Sequence, residues 1–399
     1  MRRFITIASI VLALAGVGVG AYFFFFRSSA SLTVAPSGSS TLPAAGQSSP
    51  AGAGSASASA ETVGAPTAVS ARLVQVSAGP VVAGEAIVDT SLATASTSAQ
   101  VSVRYIERES GNIFSYDTAS GKITRINNKT IPGIQSASWL PDGSGAFVRY
   151  LSGSDFSTVN TYFLPATTTQ GFFMPQNIAD IAVSSTSVLS LVSGVNGSSL
   201  STSRTDGSHA TNLFSTPLTE VRALFAGVGK YLLFSKPSAS IPGYAFISEA
   251  AGRLTRVAGP LSGLDALASP SGKWLLVSYV SGSSLRMELV DTSSGTATPL
   301  PVATIADKCV WAADESAAYC GIPANPPAAT YPDDWYRGSV SFSDRIWKID
   351  VTGRYAQLVL DFSQATKGTL DATSLATDPA GTMLVFINKN DGSLWSYSL

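Results

Sequence analysis

The feature that most constrains this 399-residue chain is an internal repeat with a period of about 40–45 residues. Each copy begins with a strand of small residues and a tight turn, continues with an apolar strand, and ends with two further strands. The copies start near residues 134, 179, 220, 264, 305 and 370. Four strands per copy at this period are typical of a β-propeller, in which each copy forms one blade. The wider last interval indicates an insertion in the copy that starts near residue 305.

The two ends of the repeat region supply a seventh blade and close the ring. Residues 101–126 contain three strands of a further copy, and EAIVDT from Glu85 can serve as its first strand. The last copy stops after its third strand, but RLVQVSAGP from Arg72 resembles RLTRVAGP from Arg253, a fourth strand with its exit. We therefore expect residues 72–77 to complete the last blade, which hides the sheet edges. The predicted fold is all-β: a seven-bladed β-propeller with terminal strand closure over residues 71–399.

The N-terminus has the pattern of a membrane segment. Arg2 and Arg3 precede an apolar run over residues 4–26, and 23 residues in a helix span about 34 Å. No Lys or Arg occurs over residues 28–71, which favours a cytoplasmic N-terminus and an extracytoplasmic body. We predict that residues 1–27 are a cytoplasmic stub and a single transmembrane helix. The alternative is a cleaved signal peptide, whose apolar stretch is normally shorter, about 7–15 residues.

Residues 28–70 form a segment rich in Ser, Ala, Gly and Pro. Large apolar side chains are almost absent from it, so burial cannot offset the entropy of ordering, and we predict a flexible, disordered linker. The net charge of the whole chain is −1, so no global field attracts nucleic acid. The expected partners are the membrane, through residues 4–26, and an envelope protein or glycan.

The turns of the repeat carry a family resemblance. The S/P-x-G turns, as in WLPDG from Trp139, resemble the TolB-like (WD-like) propeller repeat, which is also found in prolyl-oligopeptidase-type peptidases. The anchor, the linker, CVW with YC, and PDDWY together resemble membrane-anchored bacterial β-propeller proteins. The resemblance covers residues 72–399. It implies an envelope location with protein or glycan contacts, and it transfers no catalytic residue; the α/β-hydrolase domain of the peptidases is missing.

Two cysteines, Cys309 and Cys320, lie on the first and second strands of the sixth blade. A two-residue turn at Asp314 and Glu315 makes them direct cross-strand partners, and partners at non-hydrogen-bonded positions come close enough to form a disulfide. An extracytoplasmic location permits the bond. We predict a disulfide; the alternative is two free buried thiols.

The insertion in the sixth blade covers residues 322–343, between its second and third strands. Exposed aromatic side chains flanked by polar groups are typical of binding hot spots, and Trp or Tyr rings also stack on sugars. We therefore predict that aromatic and acidic residues of the insert and the following strand contact a ligand or partner: Tyr331, Asp333, Asp334, Trp335, Tyr336, Phe342 and Trp347. The alternative is that the rings pack the insert onto the sixth blade.

An acidic residue marks the start of the first strand in most blades, and these starts surround one mouth of the central channel. The residues are Glu85, Asp180, Glu220, Asp265, Asp307 and Asp371. Several carboxylates at one mouth could bind Ca²⁺, Mg²⁺ or a cationic group, because hard cations prefer oxygen ligands. The alternative is that each carboxylate accepts hydrogen bonds from neighbouring loop amides. No other cofactor or metal site is predicted.

Catalytic motifs are not found. The chain has no G-x-S-x-G, P-loop or EF-hand pattern, and its one histidine, His209, lies at a turn with no assignable nucleophile. No catalytic residue is predicted. The favoured function is a membrane-anchored, extracytoplasmic propeller that acts as a protein- or glycan-binding module. The alternatives are a structural cell-surface spacer and a metal-assisted hydrolase or lyase at the channel mouth.

Overall fold

A computed structural model describes residues 66–70, 72–89, 101–167, 170–249, 252–366 and 368–399. All of them belong to one unit, residues 61–399. The predicted membrane segment at residues 4–26 and most of the predicted linker lie outside the described residues. Within the described ranges, no helix is long and apolar enough to span a membrane.

The described chain forms seven antiparallel sheets, each one blade of a β-propeller, as the repeat predicted. From the first strand outward, the strands of the first four blades are Ala86–Asp89, Val101–Ile106, Ile113–Asp117 and Ile123–Asn127 in blade 1; Ile134–Trp139, Gly145–Ser152, Thr158–Pro165 and Phe172–Phe173 in blade 2; Ile178–Val183, Ser187–Gly194, Gly197–Arg204 and Thr211–Thr216 in blade 3; and Val221–Phe225, Lys230–Ser235, Pro242–Glu249 and Leu254–Ser262 in blade 4.

Blades 5 to 7 follow the same plan, with three short helical segments added. Their strands are Asp265–Ala268, Trp274–Ser281, Ser284–Asp291 and Ala297–Pro299 in blade 5; Cys309–Trp311, Ala317–Pro323, Asp344–Asp350 and Ala356–Asp361 in blade 6; and Ala372–Thr377, Met383–Asn388, Leu394–Ser398, Leu73–Gln75 and Thr67–Ala68 in blade 7. The helical segments are the 3₁₀ turn Ala306–Lys308 and the single turns Asp333–Tyr336 and Phe362–Ala365. The turn Asp333–Tyr336 lies in the insert.

The first strands of neighbouring blades contact each other around the axis. The hydrophobic core lies between the blades, as a series of clusters that each join two neighbours; one unites Leu276 and Leu289 of blade 5 with Trp311 of blade 6. The second strand of a blade is covered on both faces by adjacent blades. This explains why second strands such as Ala317–Pro323, buried at every residue, are continuous apolar runs rather than alternating patterns.

The ring closes as predicted. Leu73 pairs with Tyr397 and Gln75 pairs with Trp395, so the N-terminal strand completes the last blade. The amide of Leu394 also donates to the Ser77 hydroxyl at 2.8 Å. Beyond this strand, Thr67–Ala68 adds a fifth strand to the sheet, and therefore part of the predicted linker belongs to the propeller.

The predicted disulfide is present. Cys309 and Cys320 are cross-strand partners with their Cα atoms 4.1 Å apart, and the sulfurs are bonded. The bond joins the first two strands of blade 6, and the insert follows the second of these strands in the chain. Because both residues lie in the core cluster between blades 5 and 6, the bond is buried.

Candidate functional site

Three of the six acids at the strand starts converge on one side chain, Arg222, in the first strand of blade 4. Its Nη1 lies 2.6 Å from Asp307 Oδ2 and 3.7 Å from Asp265 Oδ1, and its Nε lies 3.8 Å from Asp180 Oδ2. Burial disfavours the charged guanidinium, but the three carboxylates outweigh this effect and raise the pKa of Arg222. The cluster draws on four consecutive blades, 3 to 6, and we call it the Arg222 cluster.

The same carboxylates also connect neighbouring blades through the main chain. Asp180 in blade 3 accepts a hydrogen bond from the amide of Ala223 in blade 4, at 3.0 Å. Asp265 in blade 5 accepts one from the amide of Asp307, which precedes blade 6, at 2.8 Å. For these two acids the alternative expectation holds: each carboxylate accepts a hydrogen bond from the main-chain amide of a neighbouring segment.

The side chain of Tyr336, in the insert, contacts the Arg222 cluster. Its hydroxyl donates to Asp307 Oδ2 at 2.8 Å and lies 3.4 Å from Asp265 Oδ2. Burial, reinforced by the nearby Asp307 carboxylate, raises the pKa of Asp265 to about 7. Burial and the two carboxylates likewise raise the pKa of the Tyr336 phenol well above its ordinary value. Tyr336 therefore remains a neutral hydrogen-bond donor at physiological pH.

A pocket of about 450 Å³ opens over this cluster, and we call it the channel-mouth pocket. Half-buried residues line it at Asp180, Arg222, Asp307 and Asp333, and exposed residues line it at Lys236, Tyr336 and Arg337. Lys236 pairs with Glu220 at 2.7 Å, and Arg337 pairs with Asp334 at 2.6 Å. The pocket thus offers cations, carboxylates and one aromatic ring to a ligand.

The predicted aromatic residues of the insert fall into two groups. Tyr331, Trp335 and Phe342 are buried and pack with Ile305 in a core of their own. For these three rings, the expectation of exposure is wrong and the packing alternative holds, because the long insert needs an apolar core to stay folded. Tyr336 is 38% exposed, and Trp347 is half-buried.

The two predicted acids of the insert have different positions. Asp333 lines the channel-mouth pocket and accepts a hydrogen bond from the amide of Ala239 in blade 4 at 2.6 Å, which fixes the insert to that blade. Asp334 accepts from the amide of Thr330 at 2.7 Å and holds Arg337, so it stabilises the turn itself.

A fourth predicted acid, Asp371, belongs to a different cluster around Lys308, which we call the Lys308 cluster. Lys308 is fully buried; its Nζ contacts Asp371 and lies 2.7 Å from Asp344 Oδ2. Asp371 Oδ2 accepts hydrogen bonds from Trp335 Nε1 at 3.0 Å and from the amide of Phe342 at 2.9 Å. Burial raises the pKa of Asp344 to about 6. This cluster anchors the insert.

The remaining two acids take no part in either cluster. Glu220 has 75% of its side chain exposed and pairs with Lys236. The Glu85 carboxyl is enclosed with no hydrogen-bond partner in the described part of the chain, and burial raises its pKa well above the ordinary value. Among the described residues, no group of three His, Cys, Asp or Glu is arranged to hold a metal ion. The Ca²⁺ or Mg²⁺ site therefore stays a prediction, with the Arg222 guanidinium lying among the converging acids.

The basic residues of both clusters were not foreseen. Arg222 and Lys308 lie where the other copies of the repeat have small or acidic residues, as in VRALF against LDALA. A lone basic residue at the start of a first strand is the signal that could have identified them, because a buried cation requires carboxylate partners.

No protein-family model and no curated protein matches this sequence. Solved structures resemble the fold. One is an oligogalacturonate lyase in complex with manganese, with 9% identity, a TM-score of 0.58, and coverage of 84% of this chain and 95% of that one. Another is an oligogalacturonate lyase from Vibrio parahaemolyticus, with 7% identity, a TM-score of 0.55, and coverage of 82% and 93%. A third is Kuenenia stuttgartiensis hydrazine synthase, with 12% identity, a TM-score of 0.52, and coverage of 81% and 97%. At these identities the likeness shows the seven-bladed propeller fold alone.

Proposed function

We propose that this chain is a membrane-anchored, extracytoplasmic propeller with TolB-like repeats that binds a protein or glycan at the channel-mouth pocket. The observation that carries the proposal is the convergence of Arg222, Asp307 and Tyr336, from two blades and the insert, on one accessible pocket. The apolar run at residues 4–26 supports the anchor. In this proposal the pocket face of the ring lies outside the membrane, where partners can reach it.

The chemistry of the pocket suits a polar ligand. Carboxylates accept hydrogen bonds, guanidinium and ammonium groups donate them, and the Tyr336 ring offers an apolar face. This combination satisfies the hydroxyl groups of a saccharide or the polar loop of a protein. A volume of about 450 Å³ lies within the usual range for ligand pockets.

Binding fits this arrangement better than catalysis. The lyase alternative, which the structural neighbours bring to mind, needs a base in contact with the substrate. Asp265 and Asp344, whose pKa values are raised to about 7 and about 6, are both buried, and neither lines the pocket. Asp265 accepts a hydrogen bond from the Asp307 amide and so connects blade 5 to blade 6.

Site-specific photo-crosslinking tests the proposal in intact membranes. A benzoylphenylalanine replaces Arg337, which is exposed at the pocket; the control replaces Val228, which is exposed at the opposite end of blade 4. We expect position 337 alone to capture a discrete protein, or a glycan that a glycosidase removes. Tyr336→Ala should abolish this capture. Equal capture at both positions, or capture that survives Tyr336→Ala, would contradict the proposed site.

Point substitutions are preferable to removal of the insert. Trp335 and Phe342 belong to the buried core and to the Lys308 cluster, so a deletion would expose both. Tyr336 is not a member of that core, and its ring contacts only the edge of Trp335 there, at 5.1 Å between ring centroids, so Tyr336→Ala removes one contact and leaves the core residues in place.

A further inference from the structure

A second cavity, of about 720 Å³, lies between blade 5 and the insert, and we call it the blade 5–6 groove. Leu285 and Val302 line it from blade 5 and the link to blade 6, and Ile322 and Pro326 line it from the insert side. Arg345 and Trp347, on the third strand of blade 6, complete the lining. The groove shares no lining residue with the channel-mouth pocket.

Arg345 gives the groove its charge. Within the described chain, the lining contains this one cation and no acid. Asp361 Oδ2 lies 2.9 Å from the Arg345 Nε as an ion pair, and Asp361 Oδ1 accepts hydrogen bonds from the amide and hydroxyl of Ser363 at 3.0 and 2.6 Å. The Nη1 and Nη2 groups of Arg345 make no hydrogen bond with any described residue, and the side chain is 38% exposed. An oriented guanidinium with a free edge matches a carboxylate in a bidentate geometry.

The rest of the lining decides what carries that carboxylate. Its lining side chains are mainly aliphatic, and they include no carboxylate or side-chain amide that could accept hydrogen bonds from sugar hydroxyls. Burial of apolar surface on these walls therefore favours an apolar group beside the charge. Ser283, Ser284 and the Trp347 Nε1 add polar groups that have no partner among the described residues. These groups suit peptide amides, which an alkyl carboxylic acid lacks.

We propose that the blade 5–6 groove binds the free C-terminus of a peptide whose last residue is apolar. The terminal carboxylate pairs with the Nη groups of Arg345, and the last side chain lies on the aliphatic wall. The final amides bond to Ser283 and Ser284. Capture of a chain terminus is a recurring mode of peptide recognition. This site is independent of the channel-mouth pocket and goes beyond the function proposed there.

Fluorescence anisotropy with the full chain in detergent tests the site. The probe is a fluorescein-labelled Gly-Ala-Pro-Ala-Leu with a free carboxylate, and the matched probe is its C-terminal amide. We expect the acid to bind at least about tenfold more tightly than the amide, since a charge-assisted pair is lost in the amide. Equal binding of the two probes would overturn the proposal.

Substitutions locate the binding. Arg345→Gln should weaken the acid probe by about tenfold or more and leave the amide unchanged. The control is Arg286→Gln, an exposed arginine on blade 5 outside the lining. Ser284→Glu changes an exposed position and keeps the pair between Arg345 and Asp361. Its added carboxylate should repel the acid probe. This variant therefore tests the site even if Arg345→Gln unfolds. Unchanged binding in Ser284→Glu, or displacement of the probe by decanoate at equal concentration, would overturn the assignment to peptide termini.

Discussion

The Arg222 and Lys308 clusters have the same chemistry and opposite environments. Each places one cation among aspartates that come from neighbouring blades. Lys308, Asp344 and Asp371 are completely buried, whereas the Arg222 side chain is 27% exposed and borders a pocket. Every oxygen that Asp371 offers is used by the insert or by Lys308, but Arg222 and Asp307 keep an accessible edge. Accessibility, rather than composition, therefore separates the buried anchor from the proposed binding site.

The insert connects the two clusters through consecutive residues of one helical turn. Trp335 donates to Asp371 of the Lys308 cluster, and Tyr336 donates to Asp307 of the Arg222 cluster. Lys389 adds a hydrogen bond to the Trp335 carbonyl at 2.6 Å. A closed anchor on one side of the turn thus fixes the position of the ring that lines the pocket on the other side.

Removal of the buried cation should have the largest effect. Lys308→Met leaves Asp344 and Asp371 buried without a positive partner, and we expect a loss of about 3–5 kcal/mol in the free energy of unfolding. Urea denaturation measures it. Lys236→Met, at an exposed pair, is the matched control and should cost at most about 1 kcal/mol. Similar losses in the two variants would remove the distinction between anchor and surface pair.

Loss of the disulfide should have an intermediate effect. Cys309 directly follows Lys308, so the bond holds the strand that begins beside the anchor. The double variant Cys309→Ser and Cys320→Ser should lose about 2–3 kcal/mol, as expected for a loop of about 12 residues. Denaturation with and without reductant measures this. The double variant should show no response to reductant, and a wild-type chain equally indifferent would contradict a stabilising bond.

The pH dependence of the free energy of unfolding should sharpen the comparison between the two clusters. The pKa of Asp344 is raised to about 6 and that of Asp265 to about 7, so the folded chain holds both protons more tightly than the unfolded chain. Their contribution to stability is complete below about pH 4, the ordinary pKa range of Asp, and is lost as the pH rises through the folded pKa values. The free energy of unfolding should therefore fall between about pH 4 and about pH 7.

Two substitutions show which aspartate causes the fall in the free energy of unfolding with pH. Asp344→Asn should flatten the curve up to about pH 6, and Asp265→Asn should flatten it up to about pH 7. Unfolding curves at intervals of half a pH unit measure both. Identical curves for the two variants would show that the clusters titrate as one.

Spacing along the chain was sufficient to predict the blades, the closing strand and the Cys309–Cys320 bond, because strand pairing depends on local period and register. It was not sufficient to predict where the acids point. Glu220 has a φ of 48°, which lies in the left-handed region, and its side chain pairs with Lys236 at the surface. Asp180 follows a register shift in its strand. The packed ring determines such local departures and brings in partners from other blades, such as Arg222. Neither produces a periodic pattern in the sequence.

The closing strand also determines how the ring would respond to tension. Residues 73–75 form its seam by pairing with residues 395–397, and the chain enters the propeller only a few residues earlier. A pull delivered from the N-terminal side acts first on the two-residue pairing of Thr67–Ala68 with residues 74–75, and then on the few backbone hydrogen bonds of this seam. The strand that completes the ring is thus also the place at which such a force would first separate blade 7 and open the ring.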